Sequence, residues 1–101
     1  MTPFEIGERF RVSSPGTPVP GDARIDLVMA PGAFGSGEHE TTASCLELLS
    51  TLPGLTGARV LDLGSGTGIL AIAALKLGAG SALCVDIDPA AVRTCQLNCE
   101  L

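Results

Sequence analysis

Residues 60–68, "VLDLGSGTG", decide how this 101-residue chain folds. The first four form a short apolar run of strand type, and three glycines at alternate positions then break it. Next comes "ILAIAALKLGAG", apolar almost all round apart from Lys76, which reads as a well-covered helix with Gly78 placed to end it. "ALCVDID" follows as a second buried-type strand. "DPAAVRTCQLNCEL" then opens a further helix, with Asp88 as N-cap and Pro89 at its first position. Strand, glycine turn, helix, strand, acid and helix in this order predict an α/β fold with a parallel sheet and right-handed crossovers. Two strands alone leave an open edge, through which self-association or pairing with another chain can complete the sheet.

The spacing of the glycines restricts what the turn can hold. Gly64, Gly66 and Gly68 make G-x-G-x-G, whereas a dinucleotide fingerprint needs glycine where Ile69 stands. No Gly-Lys-Ser/Thr follows, so the turn is not a P-loop. A ligand can approach the backbone closely, but the spacing does not suit a pyrophosphate. Asp86 lies 22 residues after Gly64, at the end of the next strand, where a carboxylate can accept both hydroxyls of a ribose. Asp62, just before the turn, can hold the loop or the amino group of an amino-acid-like ligand. A ribose, an amino-acid tail and no phosphate describe S-adenosylmethionine.

Upstream, "IDLVMA" reads as a strand stopped by Pro31-Gly32. "TTASCLELLSTL" places Cys45, Leu48, Leu49 and Leu52 on one helical face, with Thr41 or Thr42 as cap and Pro53-Gly54 at the end. Residues 1–24 read as a connector with one short extended segment, "GERFRVSS", and a loop rich in proline and glycine. Residues 25–101 then form the first, incomplete part of the domain.

"VLDLGSGTG" with "VDIDP" resembles the first two motifs of the Rossmann-like, S-adenosylmethionine-dependent methyltransferases. The other glycine-rich stretch, "PGAFGSGEHETT" at 31–42, resembles the signature of the PrmA family, with Ser36 where that signature has threonine. Enzymes of that family methylate lysine side chains and the N-terminal amine of protein eleven of the large ribosomal subunit. The resemblance implies a Rossmann-like parallel sheet with flanking helices, S-adenosylmethionine as methyl donor, and a basic, ribosomal protein substrate. By the same resemblance Thr42, Gly64 and Asp86 contact the cofactor, while Phe34 and Gly35-Ser36-Gly37 cover it. The family's N-terminal substrate-recognition domain and the second half of its sheet have no counterpart here, so the chain reads as part of an enzyme. The tail "LNCEL" resembles related eukaryotic protein-lysine methyltransferases, whose substrates are not ribosomal. A cofactor binder without activity is the alternative.

Other residues leave readings open. His39, the lone histidine, suits a general base for an incoming ammonium, or a loop residue bonded to backbone. No protein base is obligatory, because a lysine can lose its proton to water before attack. Glu38 and Glu40 read as solvated loop acids. Four cysteines at 45, 84, 95 and 99 lack metal-ligand spacing and fall on apolar stretches, which predicts reduced, buried thiols and a cytoplasmic setting. With 6 basic against 11 acidic residues, a net charge of −5 argues against direct nucleic-acid binding and tolerates a basic protein partner. The longest apolar run is too short to cross a membrane.

Overall fold

The computed structural model describes residues 3–30, 39–64 and 66–101. Its elements run β1 (Phe4–Ile6), β2 (Phe10–Ser13), β3 (Ile25–Val28), α1 (His39–Thr51), β4 (Arg59–Leu63), α2 (Ile69–Lys76), β5 (Ser81–Val85) and α3 (Pro89–Cys99). This is an α/β chain, and from β4 onward strand and helix alternate as expected.

β4 and β5 pair in parallel, with Val60 beside Ala82, Leu61 beside Leu83 and Asp62 beside Cys84. Side chains alternate across a strand, so Val60, Asp62, Ala82 and Cys84 share one half-buried face. Leu61, Leu63, Leu83 and Val85 share the other face and are exposed, and Ile87 just beyond is 100% exposed. α2 buries Ile69 and Ala71–Ala74, as its nearly continuous apolar character requires. Gly78, at φ +111°, turns the chain just beyond its last helical residues.

A second sheet has the order β1-β2-β3, β1 antiparallel to β2 and β2 parallel to β3. The extended segment expected at residues 7–14 holds β2, and a strand that was not expected, β1, precedes it across a turn with Gly7 at φ +62°. Phe10 and Val12 point into a core shared with Leu27, Met29, Leu46, Ile69, Ile72 and Ala73. Arg11 points the opposite way, where the loop 14–24 folds over it. Its guanidinium pairs with Asp22, pairs with Asp26 at 3.1 Å, and donates to the Pro20 carbonyl at 3.4 Å. Arg24 secures the β1–β2 turn by donating to the Gly7 and Phe10 carbonyls at 3.1 and 3.0 Å.

Two local expectations shift. α1 begins at His39, so Thr41 and Thr42 lie inside its first turns and do not cap it. Of the four cysteines only Cys95 is buried; Cys45 and Cys84 are half-buried and Cys99 is exposed. At α3 the local reading holds, with Asp88 as N-cap accepting from the Ala90 N–H at 2.9 Å and Pro89 following. Asp88→Ala is expected to lose about 1 kcal/mol of stability, the usual cost of removing such a cap, measurable by urea denaturation.

Candidate functional site

The glycine turn is built by the two parallel strands beneath it. Gly64 continues the ladder past β4, its N–H donating to the Val85 carbonyl at 2.7 Å. β5 ends there, which delivers Asp86 beside the turn. Asp86 Oδ2 accepts from the Gly66 N–H at 2.9 Å, and Oδ1 accepts from the Asp88 N–H at 2.9 Å. The Asp88 N–H first, and then that of Gly66, hold the Asp86 carboxyl below the ordinary carboxylate range, against a smaller desolvation effect. Asp86 is thus ionised at neutral pH, and its carboxylate, which the Ile87 N–H also faces, keeps acceptor capacity for a ligand hydroxyl.

All three glycines have positive φ, at +68° for Gly64, +54° for Gly66 and +82° for Gly68. They differ in what surrounds them. A Cβ at Gly64 or Gly66 would meet nothing within 4 Å among the described residues, none of which fills the space above either glycine. A Cβ at Gly68 would lie 2.6 Å from Cys95 Sγ, because α3 packs directly beneath.

Asp62 serves the helix that follows. Gly68, the N-cap of α2, has no side chain to cap with, and the Asp62 carboxylate instead accepts from the Ala71 N–H in the first turn. Its Oδ2 is buried and has no hydrogen-bond partner among the described residues. Burial pushes the Asp62 carboxyl up, and the bond from Ala71 offsets part of that rise. The two acids therefore respond to pH on opposite sides of the ordinary carboxylate range. Asp86, lowered, contributes stability that is present at neutral pH and lost only as pH falls below that range. Asp62, raised, makes folding less favourable as pH climbs from that range through its folded value. Asp62→Asn keeps an acceptor for Ala71 and is expected to abolish this second slope, as read by urea denaturation between pH 4 and 7. An unchanged slope would assign it to another group.

Among the residues expected to form the site, Asp62, Gly64, Gly66, Gly68 and Asp86 come together at the ends of β4 and β5. Thr42 is half-buried near the start of α1, and no hydrogen bond among the described residues ties it to the turn. Phe34, the 35–37 turn and the side chain of His39 lie outside the described residues. Asn98 was not singled out from the sequence, yet it meets the turn. It is 2% exposed, its Nδ2 donates to the Thr67 carbonyl at 2.9 Å, and its Oδ1 accepts from the Ala30 N–H at 2.7 Å. A polar residue three positions after the buried Cys95, on the same helical face, is the signal that marks it.

An apolar cavity of about 290 Å³ lies to one side, lined by Leu48, Leu49 and Leu52 around α1, by β4 residues including Asp62, and by Leu70. Among the described residues no cluster of three or more His, Cys, Asp or Glu side chains is arranged to hold a metal ion. No helix among them is long and apolar enough to cross a membrane.

Comparison with known proteins bears on this arrangement. The family model for ribosomal protein L11 methyltransferase (PrmA) matches residues 1–101. A ribosomal protein L11 methyltransferase of Escherichia coli is 46% identical over 99 residues, covering 97% of this chain and 33% of the relative. The protein of the same name from Shigella boydii matches to the same extent. The chain thus spans about one third of the length of the curated relatives it matches. Among solved structures, a ribosomal protein L11 methylase from Lactobacillus delbrueckii superposes with a TM-score of 0.77 at 30% identity, covering 99% of this chain and 52% of that one.

Proposed function

We propose a function from one premise: this chain belongs to the PrmA family of ribosomal protein L11 methyltransferases, and its α/β fold is the Rossmann-like one of that family. Its residues supply the S-adenosylmethionine-binding front of an enzyme that methylates lysine side chains and the N-terminal amine of that ribosomal protein. The observation that carries this reading is the glycine turn, with no described residue filling the space above Gly64 and Gly66, and pinned at Gly66 by an ionised Asp86.

The donor set fits the cofactor. Asp86 offers two anionic oxygens with spare lone pairs to a ribose diol, and a positively charged sulfonium ligand gains from a nearby carboxylate. When bound, S-adenosylmethionine would supply an electrophilic methyl group: an uncharged amine forms the C–N bond in line as the C–S bond breaks, S-adenosylhomocysteine leaves, and the resulting ammonium gives a proton to water. The chain's own contribution is alignment: the turn lets the ligand reach the backbone, Asp86 orients it, and Thr42 meets it from the start of α1. The net charge of −5 suits a basic ribosomal protein, and a ribosomal substrate together with four cysteines outside any disulfide supports a cytoplasmic setting.

Calorimetric titration with S-adenosylhomocysteine and transfer of radiolabelled methyl groups to the ribosomal protein test the two halves of this reading. Saturable binding with label incorporated into lysine supports both, and absence of binding removes the cofactor assignment. A second reading, binding without transfer by these 101 residues, is favoured by their covering one third of the relatives' length. Binding with no incorporated label would decide for it.

A further inference from the structure

α3 rests on the remainder of the molecule through few side chains, and its two buried residues are Cys95 and Asn98. Cys95 supplies bulk beneath Gly68. Asn98 supplies something more specific. One amide group joins two backbone segments far apart in sequence, the exit of β3 at Ala30 and the glycine turn at Thr67. The partners also fix which way the amide points, since a backbone N–H requires the oxygen and a carbonyl requires the nitrogen. Aspartate of the same size meets only the first demand while ionised, and leucine of nearly the same size meets neither.

The bond to Thr67 constrains more than one atom. The peptide linking Thr67 to Gly68 is trans, so holding its carbonyl toward Asn98 turns the Gly68 N–H to the opposite side. Asp86 restrains the same turn from its other flank through the Gly66 N–H. The turn is therefore held at two points, the Gly66 N–H and the Thr67 carbonyl, with the 66–67 peptide between them, by two side chains from different parts of the fold. Asn98 alone also reaches the strand from which the chain enters residues 31–38, the stretch that carries the family signature.

We propose that Asn98 is a positioning residue for cofactor binding: its single buried amide sets the separation between two backbone walls, the glycine turn that receives the cofactor and the exit of β3, and so places the turn. This rests on the cofactor assignment made above for the turn and Asp86. Asn98 touches no reacting atom and acts through the backbone it holds.

The test compares the full chain with Asn98→Asp and Asn98→Leu, using amide hydrogen exchange without ligand and calorimetric titration with S-adenosylhomocysteine. Asn98→Leu should free both Ala30 and the 66–68 amides. Asn98→Asp should keep Ala30 protected while the turn exchanges faster, and its affinity for S-adenosylhomocysteine should fall roughly tenfold at pH 8. A protonated aspartic acid again offers one donor and one acceptor, so this defect should shrink toward wild type as pH is lowered to 5. Taking the ratio to wild type at each pH cancels titrations shared by the two chains; the charged and ionisable side chains lining the cavity beside Asn98 are Lys76 and Cys99. A role confined to docking α3 would speed exchange of the α3 amides themselves while leaving affinity for S-adenosylhomocysteine at the wild-type value in every variant that folds.

Unchanged exchange at Ala30 and at the turn in both variants would overturn the proposal, as would a wild-type affinity in Asn98→Leu. Failure of the wild-type chain to bind S-adenosylhomocysteine would instead remove the cofactor assignment, and the ligand-free exchange pattern would still decide whether Asn98 sets the two walls. Circular dichroism and thermal melting establish that each variant folds; if Asn98→Leu unfolds, Asn98→Asp and its pH profile carry the decision.

Discussion

Asp86→Ala is expected to weaken binding of S-adenosylmethionine or S-adenosylhomocysteine by about ten- to a hundred-fold, since a charge-assisted acceptor and its geometry vanish together. Two losses combine. On the proposed reading the ligand loses the carboxylate assigned to its ribose, and the turn loses the acceptor that holds the Gly66 N–H at 2.9 Å. Asp86→Asn separates them, because an amide oxygen can still accept from one backbone N–H while the negative charge is gone. An intermediate affinity for Asp86→Asn is the expected order, and calorimetry at neutral pH reads it. Equal affinities for wild type and Asp86→Ala would remove Asp86 from the site.

Gly68→Ala should produce the largest loss of folding stability of any single methyl group added to the turn. A side chain at φ +82° costs about 1–2 kcal/mol by itself, since L-residues avoid that region. The new methyl would also lie 2.6 Å from Cys95 Sγ, and overpacking of this kind adds about 1–3 kcal/mol. Together the substitution should cost about 2–5 kcal/mol, read by chemical denaturation. A double-mutant cycle with Cys95→Ala divides the two parts: removing the sulfur relieves the clash and leaves the backbone penalty. Additive losses would mean that α3 shifts to make room at no cost. Gly64→Ala, with no described atom within 4 Å of its Cβ, should lose only the backbone part.

Much of the fold was legible because its signals were local. Asp88-Pro89 marked the start of α3 by capping chemistry, and G-x-G-x-G after an apolar run marked a strand ending in a tight turn. The strand β1 was illegible for the opposite reason. Three residues carry no periodicity, and Phe4–Ile6 is a strand only because β2 pairs with it across the Gly7 turn. The start of α1 was misplaced because Thr41 and Thr42 have capping side chains, and propensity alone does not say whether a threonine caps a helix or lies in its first turn. In the site, Asp86 was found from its offset, yet its bonds to Gly66 and Asp88 were not, since these depend on where β5 stops. Asp62 was legible as a polar residue beside the turn, but its service to the Ala71 N–H follows from α2 lacking a side-chain cap at Gly68. Asn98 was passed over because an asparagine between leucine and cysteine looks like a solvent-facing helical residue. Its partners are backbone groups 68 and 31 positions away, and no local pattern encodes them.

That wide separation has a kinetic consequence. Closing a chain loop over 68 residues costs about 1 kcal/mol more entropy than closing one over 20, the span of the Gly66–Asp86 bond. During folding the turn is therefore fastened to Asp86 ahead of its fastening to β3. Synthesis from the N-terminus imposes the same sequence of events, because Ala30 emerges long before Asn98 exists to receive its N–H. The half of the site built by β4 and β5 matures as a local unit, and the contact of highest contact order is made last.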